Sequence, residues 1–173
     1  MDGKSYTLEA DEKASQVMIG TPDVLIWGDL VTKEAVRMST FLISVAQDFV
    51  PMREVKALFL APVEQAPPVE RHTLHIKQEE ILMFFEMNSL EPLPEETQTR
   101  QYTPVEIIIG SFRIEGKLLK SPMATIENTL QVTRAVYIPI YEATIRHVAK
   151  PWLGTFSGNI VQVRRERMLL VEA

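Results

Sequence analysis

The 173-residue chain contains no cysteine, which excludes disulfides, thiolate metal sites and cysteine nucleophiles. It has only three histidines, His72, His75 and His147. His72 and His75 stand three apart in a strand-like stretch. That spacing sends their side chains to opposite faces and makes no ready metal pair. No apolar run approaches the roughly 20 residues of a membrane helix, so no membrane insertion is expected. The opening MDGKSYTLEADEK lacks the apolar centre of a secretory signal, and with the missing cysteines this reads as cytoplasmic. Glycines are few, and the Gly110/Gly116 and Gly154/Gly158 spacings lack the lysine and the strand-to-helix context of a phosphate loop. Ser39, Ser121 and Ser157 lack the setting of a nucleophile elbow. The carboxylate pairs Asp11-Glu12, Glu79-Glu80 and Glu95-Glu96 fall in polar stretches where they stay solvated rather than in a cleft. The expectation is a protein with no catalytic residues, no metal and no cofactor.

What the chain does have is a pattern written twice. Gly28-Asp29-Leu30-Val31 returns 88 positions on as Gly116-Lys117-Leu118-Leu119, and Phe49-Val50-Pro51-Met52 returns as Tyr137-Ile138-Pro139-Ile140. Leu42 matches Leu130 and Glu54 matches Glu142 at the same shift. After one deletion His75–Leu82 matches Gln162–Leu169. Hydrophobic positions, glycine and proline stay in phase, the signature of two copies of one structural unit. The boundaries read as a flexible tail over 1–15, a first repeat over 16–87, a Pro-rich linker over 88–104 and a second repeat over 105–173.

Within the first repeat, Val24–Thr32 reads as a strand with a bend at Gly28. Met38, Phe41, Leu42 and Val45 mark one face of a helix over Arg37–Gln47. Strand composition returns over Phe49–Ala61, a proline-rich loop covers Pro62–Glu70, and a hairpin joins Thr73–Ile76 to Ile81–Glu86. The second repeat follows the same plan. Its strands are Val105–Ile109, Phe112–Lys120 with the bend at Gly116, and Val136–Val148, with a helical stripe in Pro122–Arg134. After a loop over Lys150–Gly158, a closing hairpin is expected from Asn159–Val163 to Met168–Glu172. Five short strands in about 70 residues bury both faces best by curling. The expected class is therefore mainly β (α+β), two tandem five-stranded small barrels or rolls, each with a short helix between its second and third strands.

Charge is uneven. Residues 1–88 carry 8 basic and 14 acidic side chains, and residues 89–173 carry 10 and 9. Either the repeats attract each other, within a chain or head to tail between chains, or their solvated surfaces have drifted apart. Arg164, Arg165 and Arg167 form the densest basic cluster, a candidate for phosphate contacts, although the acidic chain as a whole works against nucleic-acid binding. Trp152 and Phe156 sit in a loop flanked by proline and glycine, either a contact surface or a plug for the barrel end.

Phe112–Leu118, with its glycine followed by leucine, and the strand pair Gly158–Arg164 and Met168–Glu172 around an arginine turn resemble the Sm-like and SH3-like small barrels. The duplicated pattern is also similar to uncharacterised bacterial tandem-repeat domains. The helical insert between second and third strands and Arg165 after the turn arginine depart from the Sm-like pattern, so the resemblance implies a fold and no ligand. Together these readings point to a non-catalytic interaction or scaffold module working through protein–protein contacts or self-association. The alternative is a small-ligand or nucleic-acid binding protein using the basic turn.

Overall fold

The computed structural model of the chain describes residues 6–44, 48–60 and 67–172. Val45 of the helical stripe, much of the Pro62–Glu70 loop and the first five residues of the tail lie outside the described residues. The chain divides into two compact units, Met1–Met87 and Asn88–Ala173. Among the described residues, ten antiparallel strands and few helices make it mainly β.

The first unit holds β1 (Glu12–Gly20), β2 (Val24–Lys33), helix α1 (Met38–Ile43), β3 (Phe49–Phe59), β4 (Val69–Lys77) and β5 (Met83–Glu86). Its strand order is β5-β1-β2-β3-β4. The second unit holds β6 (Gln101–Ile109), β7 (Phe112–Lys120), helix α2 (Ile126–Val132), β8 (Tyr137–His147), β9 (Thr155–Arg164) and β10 (Met168–Glu172), in the order β10-β6-β7-β8-β9.

The expected closing hairpins are not formed. Three-residue 3-10 turns, Gln78–Glu80 and Arg165–Arg167, follow β4 and β9. They carry the chain across to the far side of each unit, where β5 pairs with β1 and β10 with β6. Neither β4–β5 nor β9–β10 is paired among the described residues, so the strands do not close into the barrels that the sequence suggested.

Several strands also begin earlier than their side-chain pattern suggests. Glu12–Ser15, read as tail, opens β1 opposite Lys33–Leu30. Gln101–Pro104, read as linker, pairs with Lys120–Lys117. Thr155–Gly158, read as loop, lies in β9. In each case backbone pairing extends a strand into residues that lack the alternating apolar pattern of its middle.

The core of the second unit follows from two-residue alternation. Val105, Ile107 and Ile109 of β6, Phe112, Ile114 and Leu118 of β7, and Val161 and Val163 of β9 are buried, with more exposed residues between them. In the first unit Val17, Met18, Ile19, Leu25, Ile26 and Leu30 are buried without strict alternation, and Met83-Phe84-Phe85 is buried on both faces. Each large apolar side chain removed from water contributes about 1.5–3 kcal/mol.

The glycine bends are β-bulges. Pairing of β2 with β3 shifts register between Trp27 and Asp29, and pairing of β7 with β8 shifts between Glu115 and Lys117. Opposite them, Glu54 and Glu142 adopt positive φ, 45° and 48°.

Candidate interaction surface

The basic turn and β10 are placed by helix α2. Thr125 caps the helix, its hydroxyl oxygen accepting from the Asn128 backbone N–H at 3.1 Å. Ile126 is buried and Leu130, one turn on, is half-buried, so the helix lays one apolar stripe on the unit. At its other end the Arg165 guanidinium donates to the Thr133 backbone carbonyl, satisfying an end carbonyl with a cation where the helix dipole favours one.

Between helix and strand runs a groove of about 380 Å³ lined by Glu127, Leu130, Gln131, Arg165, Met168 and Leu170. Gln131 donates to Glu127 at 3.1 Å along its helical wall. The alternate residues of β10 point away from this groove, and there Leu169 is 67% and Val171 46% exposed. β10 has one strand neighbour, β6, among the described residues.

The three arginines proposed from sequence are not equivalent. Arg164 donates through Nη2 to the Tyr137 hydroxyl at 2.8 Å and lies 4.9 Å from the centre of that ring. Tyr137 is buried, which pushes its phenol above the ordinary tyrosine range, partly offset by the Arg164 cation. Arg165 is held by Thr133, and Arg167 is exposed. Two of the three guanidiniums are therefore engaged inside their own unit.

The aromatic pair lies elsewhere. Trp152 belongs to a 3-10 turn, Pro151–Leu153, is 48% exposed, and has the Lys150 ammonium 5.8 Å from its ring. Phe156 is not in a loop: it is a half-buried residue of β9 opposite Ile145. Phe156 is near the start of β9 and Arg164 ends it, so eight strand residues, roughly 25 Å, separate aromatic and basic candidates. They do not form one site.

Three further features carried no motif in the sequence. His147 is 4% exposed, and neither ring nitrogen has a protein hydrogen-bond partner among the described residues. The ring stands edge-on to Phe112 at 5.2 Å. Its signal was parity: past the bulge at Glu142, Ala143, Ile145 and His147 alternate inward. In the first unit a recess of about 470 Å³ is lined by Glu54, Val55, Lys56, Glu70, Arg71 and His72. Lys56 pairs with Glu70 there at 2.9 Å, and His72 Nδ1 lies 3.6 Å from Glu54. The third feature is the outer edge of β4, whose exposed side chains are Glu70, Arg71, His72, His75 and Lys77. Among the described residues no three acidic, histidine or cysteine groups gather to hold a metal ion, and no helix is long and apolar enough to cross a membrane.

The chain matches no family model, no curated protein and no solved structure.

Proposed function

We propose that this protein is a non-catalytic interaction module that assembles with further copies of its own chain through the outer edge of β10. The observation that carries the reading is the contrast between two strands that each end their own unit's order, β4 and β10. β4 bears five exposed charged or histidine side chains, the usual guard of an edge that stays in water. β10 bears exposed Leu169 and Val171 on one side and the groove residues Met168 and Leu170 on the other, with no charge before Glu172. A strand added there would satisfy a row of backbone groups and cover apolar surface at the same time.

The same reading takes the two units as duplicated copies of one bent, small-barrel-like plan. It is supported by the shared strand order, the paired bulges at Gly28 and Gly116, and the positive φ at Glu54 and Glu142. The basic turn supports no second reading, because Arg164 and Arg165 are engaged within their unit.

Light scattering over a dilution series tests the proposal. Wild-type protein is expected to exceed its 19.7 kDa monomer mass at high concentration, in high salt as in low. Leu169→Lys combined with Val171→Lys is expected to return it to monomer with unchanged circular dichroism. Assembly is expected to stop at two chains, β10 paired with β10, and growth beyond two would show that the guarded β4 edge pairs as well and overturn the contrast. A monomer at every concentration overturns the reading.

A further inference from the structure

His147 ends β8, opposite Phe112 of β7. Beyond it the chain turns through Val148–Gly154 into β9, and this connection carries Trp152. Four backbone hydrogen bonds fasten it: Val148 N–H to Ser111 at 2.8 Å, Lys150 N–H to His147 at 3.3 Å, Leu153 N–H to Lys150 at 3.1 Å, and Gly154 N–H to Pro151 at 3.0 Å. The His147 ring at its start is buried against Phe112.

A neutral imidazole tolerates such a place at a modest cost, but an imidazolium does not. A buried cation needs an acceptor or a counter-charge. The groups around the ring supply neither. From β7 comes the Phe112 ring, and the β6–β7 turn whose Ser111 carbonyl takes the Val148 N–H carries no charge at Gly110 or Ser111. Arg113 is exposed and paired with Glu106 and Glu115, and Arg146 is exposed on the other face of β8. The connection itself contributes Lys150, a second cation, buried and near enough to act on the ring. No carboxylate acts on it.

We propose that His147 is a pH-sensitive fastening for the β8–β9 connection, so that acidification releases Val148–Gly154 and with it Trp152. Burial, then the Lys150 charge, hold the imidazole below its ordinary pKa of 6.5 while the connection is closed. An opened connection exposes the ring and lets it protonate normally. Between about 6.5 and the closed-state value, each unit of pH favours the open form by roughly tenfold. Above 6.5 both forms are neutral and pH has no effect.

The test is proton NMR of the full chain from pH 8 to pH 4.5. The His147 Cε1–H is expected to titrate below the ordinary imidazole value of 6.5. The hydrogen-exchange protection factors of the Val148 and Lys150 amides are expected to fall about tenfold per pH unit once pH drops below 6.5. His147→Phe is expected to abolish that fall, since an uncharged ring then packs on Phe112. Lys150→Gln leaves the buried ring in place and is expected to raise the His147 midpoint towards 6.5, and it keeps the test available if His147→Phe does not fold. A His147 midpoint near 6.5 in the wild type, or protection factors flat across the range, overturns the proposal.

Discussion

Gly28 faces the bulge residue Glu54 so closely that a Cβ on Gly28 would stand 3.2 Å from the Glu54 carbonyl oxygen and 2.7 Å from that of Arg53. Backbone oxygens in a paired strand cannot move aside as a side chain can. Gly116 repeats the arrangement opposite Glu142, though there the nearest atom is Ile140 Cγ2, at 2.6 Å, with the Tyr141 carbonyl oxygen at 3.0 Å. Gly28→Ala and Gly116→Ala are therefore each expected to destabilise by about 2 kcal/mol, because backbone oxygens crowd the first site and the buried, β-branched Ile140 crowds the second. Glu54→Gly relieves the strained positive φ and is expected to raise the unfolding midpoint, by up to about 1 kcal/mol. Urea unfolding of the three variants checks the signs.

The described residues before β1, from Tyr6 onward, are tied to the first unit. The Tyr6 hydroxyl donates to Asp29 Oδ2 at 2.6 Å, and Asp29 is buried. Nearby, Lys33 gathers Glu9 and Asp11, both at 2.9 Å, and Glu12 at 3.6 Å. Removing the donor leaves a buried carboxyl short of one partner. Tyr6→Phe is expected to cost about 1–2 kcal/mol in urea unfolding, and a change within error would show that this segment does not contribute to stability.

Side-chain periodicity made the middle of each strand legible. Ile107, Ile109 and Ile114 announce themselves by alternation, and Gly28 and Gly116 announced the bends. Strand ends did not show, because Glu12–Ser15, Gln101–Pro104 and Thr155–Gly158 are held largely by backbone pairing and carry many polar side chains. The crossover after each 3-10 turn was misread as a hairpin, the usual partner choice for neighbours in sequence. Which face of β3 and β8 is buried depends on Glu54 and Glu142 taking a backbone conformation that glutamate seldom adopts, and nothing in their chemistry signals it. For the same reason the inward parity of His147 was hidden behind the bulge. The arginines were found as a cluster, but their division into bound and exposed members depended on Tyr137 and Thr133, distant in sequence.

That division is measurable. Arg164→Ala removes a hydrogen bond and a ring contact from the buried Tyr137, and is expected to destabilise by about 1–2 kcal/mol. Arg167→Ala touches an exposed side chain and is expected to stay within about 0.5 kcal/mol of wild type. Equal losses in thermal or urea unfolding would contradict the different roles assigned to the two arginines.

Tyr102, Tyr137 and Tyr141 all have phenols raised above the ordinary value of 10.0, each chiefly by desolvation. A phenol gains negative charge as it loses its proton, and burial penalises that form. In the unfolded chain these groups ionise near 10.0; in the folded chain they hold their protons to higher pH. Stability from this source is thus complete below pH 10 and is lost as pH rises from there through the folded-state values. The protein is expected to unfold progressively more easily above pH 10. Tyr137→Phe, compared with wild type across pH 9–12, is expected to flatten part of that slope at the cost of the Arg164 hydrogen bond. A slope unchanged by the substitution would mean that the alkaline sensitivity arises elsewhere.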